Sequence, residues 1–318
     1  MQRAPKATAA GAPAGRSQSA NLRGATWMVT AMLGYLVNDT LIKVVLDDLP
    51  LFQTIFVRGV MITIVLGLVT GRTGGFERLR SHWSRPIGIR VVMEMLATVV
   101  YLSALSRLPI GNLVAILQLL PIAVTFVAAR LLREAVNPQR VAAVLAGFVG
   151  VLLVVRPGSA DFTLWYLAGF VAVALFVVRE VSTVGIDERI GSLDIAWLTG
   201  FAIMVMGAAG AVIEGWEAME LRHVALIAAA ATFLTLGYFS SVVTVRTGDL
   251  SFSAPFRYVI LPGALAMQII VFNDVPDALS FLGAAIIVGA GLFALGAEQR
   301  AGKRPRAVTG RFSTSESS

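Results

Sequence analysis

The run ILQLLPIAVTFVAARLLREAVNPQRVAAVLAGFVGVLL, Ile116 to Leu153, has an echo in RYVILPGALAMQIIVFNDVPDALSFLGAAIIVGAGLF, Arg257 to Phe293. Each reads as an apolar helix carrying a proline, a short polar turn, and a second helix rich in glycine and alanine. The two runs close two successive sets of apolar segments. The first set lies at residues 24–46, 51–70, 86–106, 110–129 and 140–156, the second at 162–179, 195–213, 224–245, 251–272 and 278–296. A helix that crosses the hydrocarbon of a bilayer needs about 20 residues, so each segment is expected to span. An odd number of crossings per set brings the second set in from the opposite side. The expected fold class is therefore an all-α integral membrane protein of ten transmembrane helices, arranged as two inverted five-helix repeats. Loop charge agrees. The turn of the first copy carries Arg130, Arg133 and Arg140, whereas that of the second carries Asp274 and Asp277 and no basic residue.

Composition points the same way. Of 318 residues, 57% are hydrophobic and only 14% are charged, against about a quarter charged in ordinary soluble domains. The chain has no cysteine, which excludes disulfides, thiolate metal sites and cysteine nucleophiles. Residues 1–23 form a basic tail rich in Ala, Gly, Pro and Ser with no apolar core, and residues 298–318 have the same character, so both are expected to be disordered. The repeats are expected over 24–156 and 157–297. Glycines within the spans, such as Gly147, Gly150, Gly283, Gly289 and Gly291, are expected to mark close helix seams.

Orientation follows from the 26 lysines and arginines. With a cytoplasmic N-terminus, the inner tails and loops hold nearly all of them, Arg179 and Arg189 included. Only Arg107, Arg156 and Arg222 fall outside, and Lys43, Arg58, Arg90 and Arg257 lie within spans. This asymmetry expects both termini in the cytoplasm of a multi-pass inner-membrane protein. Such scattered charge needs no nucleic acid to explain it.

At this point the chain resembles a family. The run ALSRLPIGNLVAILQLLPIAVTFVAARLLREAVNPQRVAAVLAGFVGVLLVVRPG, Ala104 to Gly158, is similar to the EamA domain of the drug/metabolite transporter superfamily. The shared pattern is a small-residue helix with a central proline (Pro121), a short acidic turn (Glu134), and a helix with a late glycine (Gly150) and an RPG ending. The second copy has Asp274 where the family usually has glutamate. The resemblance implies two inverted halves and transport of a small organic metabolite such as an amino acid, S-adenosylmethionine or riboflavin. Direction differs between members.

Charged residues within spans are expensive in lipid, about 2.5 to 3.5 kcal/mol each near a helix centre, so Asp39, Arg58 and Glu94 need partners or water. Tyr35, Asp39 and Lys43 recur every four residues along one stripe of the first helix. Arg90, Glu94, Thr98 and Tyr101 form a stripe on the third. Asp39 and Arg58 lie equally far from the outer ends of their helices, which favours their pairing, whereas Lys43 is close enough to the surface to snorkel. Asn38, Asp39, Arg58, Glu94, Tyr101, Gln118, Tyr238, Arg257 and Tyr258 are the candidates to line a substrate cavity. Among them, Asp39 and Glu94 are the candidates for proton coupling, and Arg58 and Arg257 for holding a carboxylate or phosphate. Tyr101, Tyr238 and Tyr258 could stack on a planar ring. The same charges also read as structural ion pairs, Asp39 with Lys43 or Arg58 and Glu94 with Arg90. The hydroxyls also read as interhelical glue. Glu134 and Asp274 sit in turns and read as caps.

No hydrolase elbow, zinc-protease motif or phosphate loop is present, and His82 and His223 fall at opposite surfaces, so neither an enzyme nor a metal or other cofactor is expected. The expected partners are a small-molecule solute and membrane lipid, without nucleic acid, and a homodimer stays open. The alternative function is a non-transporting membrane scaffold or receptor built on the same fold.

Overall fold

The computed structural model describes residues 18–131, 138–159, 162–247 and 250–302. These form helices joined by short connections, and no strand occurs among them. In chain order the helices are α1 (Gln18–Leu46), α2 (Leu51–Arg72), α3 (Gly75–Ser81), α4 (Arg85–Arg107), α5 (Ile110–Leu117), α6 (Leu120–Leu131) and α7 (Pro138–Val155). They continue with α8 (Trp165–Thr183), α9 (Ser192–Glu214), α10 (Leu221–Thr247), α11 (Leu250–Ser253), a 3-10 turn at Ala254–Val259, α12 (Ile260–Phe272) and α13 (Ala278–Gly302). Helix α1 begins inside the expected N-terminal tail and α13 runs into the expected C-terminal one. The turn with Arg133 and Glu134 lies outside the described residues.

Among the described residues, seven segments are long and apolar enough to cross a membrane: Gln18–Leu46, Leu51–Arg72, Arg85–Arg107, Trp165–Thr183, Ser192–Glu214, Leu221–Thr244 and Ala254–Phe272. Ile110–Val124, Val141–Val155 and Ala278–Ala294 are shorter apolar helices. The chain is an all-α multi-pass membrane protein.

Proline explains where helices stop. Pro109 follows Leu108, which is held extended at ψ 151, and α4 ends there. Pro121 lacks the N–H that would bond the Leu117 carbonyl, and the chain turns at Gln118 and Leu119 between α5 and α6. Pro255 and Pro262 bracket the corresponding change from the 3-10 turn into α12.

The helices pack in pairs drawn from opposite ends of the chain: α1 with α10, α2 with α9, α4 with α8, α5 with α12 and α7 with α13. Small residues set the closest seams. A β-carbon on Gly150 would lie 2.8 Å from the Gly283 carbonyl oxygen, and one on Gly283 would lie 2.6 Å from that of Gly150, so α7 and α13 touch backbone to backbone. Gly289, expected at such a seam, faces open space. The main core gathers α5, buried from Ile110 to Ile116, with inward faces of α1, α4, α7, α8, α12 and α13.

Candidate functional site

The paired helices bring most of the polar spans together. Asp39, on α1, accepts hydrogen bonds from the Tyr101 hydroxyl of α4 at 2.7 Å and from the Asn38 side-chain amide at 2.9 Å. One turn earlier on α1, the Tyr35 hydroxyl lies 2.9 Å from Ser241 Oγ of α10, and its ring meets Tyr238 edge-on with centroids 5.8 Å apart. Asp39, Tyr35, Tyr238 and Ser241 lie more than a turn from the nearest helix end, yet each keeps partial solvent exposure. These polar side chains therefore share one stretch of the α1–α10 seam, with Tyr101 of α4 against it.

Arg58 of α2 is buried to 8% exposure, within electrostatic reach of Asp39, Tyr238, Tyr101 and Glu94. The Asp39–Arg58 ion pair favoured by their matched depth does not form. Both carboxylate oxygens of Asp39 are taken by neutral donors, and Arg58 makes no hydrogen bond or ion pair among the described residues.

Glu94 is held by cations instead. Arg179 of α8 donates to it at 2.7 Å, and Arg90 lies 3.7 Å away one turn back on α4. Arg179 also bonds Glu180 and stands 4.8 Å from the Phe176 ring centre. Sequence reasoning placed Arg179 in an inner loop. Helix α8 continues to Thr183, which draws Arg179 a turn inside the bundle, where only a carboxylate at equal depth offsets its desolvation. The signal available was the uninterrupted helical pattern through REVST.

The other candidates are more dispersed. Gln118 is buried at the α5–α6 turn with its Nε2 unpaired. Tyr258 is buried in the 3-10 turn, against Gly291, and Arg257 beside it is exposed. Lys43 does not reach for the surface. Its ammonium donates to the Leu105 and Leu108 carbonyls at 2.7 and 2.9 Å, and lies 5.5 Å from the Phe272 ring centre. Pro109 cannot supply the N–H that the Leu105 carbonyl would otherwise accept, so the lysine caps α4. Asp274 accepts from Gln268 Nε2 at 2.9 Å while Gln268 Oε1 accepts the Gly111 N–H at 3.0 Å, which caps the start of α5 from α12. Asn112 donates to the Tyr166 hydroxyl at 2.8 Å and ties α5 to α8.

Residues 22–156 match the EamA-like transporter family. Over these residues the chain carries an EamA-type transporter domain. Its relatives agree along most of their length. The riboflavin transporter of Vibrio cholerae is 26% identical over 90% of this chain and 97% of its own. That of Brucella anthropi is 26% identical over 73% of this chain and 84% of its own. The S-adenosylmethionine uptake transporter of Rickettsia bellii is 25% identical over 87% of this chain and 95% of its own. A crystal structure, 19% identical, covers 90% of this transporter and 99% of its own chain with a TM-score of 0.61, a likeness of fold. Within this transporter, the EamA-matched part supplies Asp39, Arg58, Glu94 and Tyr101, and the remainder supplies Arg179, Tyr238 and Ser241.

Proposed function

We propose that this small-metabolite transporter works by alternating access in a bacterial inner membrane, with both termini cytoplasmic, and that the polar cluster of α1, α2, α4, α8 and α10 is its substrate site. Ten spans form two inverted halves, residues 24–156 and 157–297, with α5–α6 and α11–α12 each counted as one broken span. The helix pairing supports this reading. A two-fold axis that exchanges the halves turns the α1–α10 pair into the α8–α4 pair and returns α2–α9, α5–α12 and α7–α13 to themselves, and all of these pairs are packed.

The observation that carries the reading is the Glu94–Arg179 contact, because it joins charges from both halves inside the bundle, beside half-buried Tyr35 and Tyr238. Charge at membrane depth is retained where it faces a water-filled path or a substrate. The solute is a metabolite of the size and planarity of riboflavin or the adenosyl group of S-adenosylmethionine, or an amino acid, met by tyrosine faces. The test is uptake by proteoliposomes of the purified protein, offered riboflavin, S-adenosylmethionine, nucleosides and amino acids separately. Saturable uptake of one class, abolished by Asp39→Asn or Arg58→Gln, supports the assignment. Absence of uptake across the panel leaves the scaffold reading in its place.

A further inference from the structure

Arg58 is the one arginine of the cluster that no carboxylate pairs among the described residues. The residue is 8% exposed and its donors make no hydrogen bond among the described residues, because the carboxylates within reach are engaged elsewhere, Asp39 by Tyr101 and Asn38, Glu94 by Arg179 and Arg90. Beside Asp39, Asn38 Oδ1 is buried and unpaired as an acceptor. A planar fork of free donors fits a carboxylate or phosphate, which it can hold with two parallel bonds.

The two halves of the cluster balance separately in charge. Glu94 and Glu180 face Arg90 and Arg179, and Asp39 faces Arg58 across a distance too long for an ion pair. An anion arriving at Arg58 leaves this region with one negative charge too many, in a place where uncompensated charge is costly. One proton on Asp39 removes the excess. Asp39 is suited to take it, since its partners Tyr101 and Asn38 are neutral, whereas Glu94 lies against two arginines. Of the elements packed on α1, α4 turns Tyr101 and α2 turns Arg58 toward Asp39. Helix α10 presents Tyr238 edge-on to Tyr35 a turn away, the 3-10 turn carries Tyr258 and exposed Arg257, and α11 and α12 carry no titratable residue.

We infer that Arg58 binds the carboxylate or phosphate of the solute and that Asp39 takes up one proton in the same event, so that an anionic solute and a proton bind together with no change in the charge of the site. The inference rests on the transport reading above and names its substrate class. Atoms and charge balance: the anion pairs with the guanidinium, and the proton from solution forms the O–H of the Asp39 carboxyl.

Nicotinate and nicotinamide, matched planar rings that differ in acid against amide, test this on the purified full-length chain by titration calorimetry and thermal shift. Nicotinate binds and raises Tm, nicotinamide does not, and nicotinate affinity rises about tenfold for each unit of pH lowered through the neutral range, the slope of one linked proton. Arg58→Gln removes a buried charge without a partner, so it folds and melts no lower than the parent, yet loses nicotinate. Arg58→Lys keeps the charge, loses the fork and binds more weakly. Asp39→Asn binds nicotinate with no pH dependence. Equal binding of acid and amide, no binding of nicotinate, or binding untouched by Arg58→Gln overturns the anion site. Nicotinate binding that is independent of pH in the parent chain overturns the proton linkage. Uptake of a neutral or cationic metabolite by proteoliposomes, with no binding of nicotinate, sinks this inference and leaves transport standing, whereas uptake of no metabolite sinks the transport reading itself.

Discussion

Arg179 of α8 donates to Glu94 of α4 at 2.7 Å, and this charge pair pins the two helices together at a depth neither residue could occupy alone. Removing one partner leaves the other with only its second neighbour, Glu94 with Arg90 or Arg179 with Glu180, and breaking a buried pair costs up to about 3–5 kcal/mol. Glu94→Gln and Arg179→Gln are therefore each expected to lower the melting temperature of the detergent-solubilised protein strongly, and the double variant much less. A double variant that loses the sum of the two singles would show that the pair is not coupled.

Lys43 is a helix cap, not a site residue. Lys43→Met leaves the Leu105 and Leu108 carbonyls at the end of α4 without a donor, at about 1–3 kcal/mol for a buried unsatisfied group. Thermal unfolding should register this loss, with Lys43→Arg recovering part of it. Solute affinity, measured on the folded fraction, should stay at the parent value.

Glycine substitutions separate seam from surface. Gly150→Ala and Gly283→Ala each drive a methyl group into the opposing backbone of α13 or α7 and are expected to destabilise the fold. Gly289→Ala meets open space and gains about 1 kcal/mol of helix propensity. Equal thermal shifts for Gly283→Ala and Gly289→Ala would refute the close seam.

Asp277 precedes α13 and caps it by accepting the Ser280 N–H at 3.0 Å, with Arg156 as an ion-pair partner. Hydrogen bonds from Ser280, then the Arg156 charge, hold its carboxyl below the usual value of 3.8. A carboxyl depressed in the folded state adds stability above pH 3.8 that is lost as the pH falls through the lower folded value. Acid unfolding curves of Asp277→Asn should accordingly lack that component while matching the parent's shape near neutrality.

Some features were legible before any coordinates. Helix positions follow from apolar runs and from proline, because in lipid each backbone group must be satisfied within its own helix and the sequence alone fixes where that fails, as at Pro109 and Pro121. The stripes on α1 and α4 were equally visible, since helical periodicity puts Asp39 above Tyr35 and Tyr101 above Glu94. Which stripe meets which was not. Tyr101 reaching Asp39, and Arg179 reaching Glu94 across 85 positions, depend on helix rotation and tilt, and these are set by packing between distant parts of the chain.

The sequence by itself determined that this is a helical membrane protein with charge concentrated in its first three apolar segments, because burial in lipid leaves so few alternatives for a chain of this composition. Tertiary structure alone decided the partners. Matched depth argued for an Asp39–Arg58 pair, and the fold instead gives Asp39 to Tyr101 and Asn38, gives Glu94 to arginines, and leaves Arg58 with its donors free. Depth is a one-dimensional quantity that a sequence can count, whereas a hydrogen bond also requires a direction, and only the packed helices supply it.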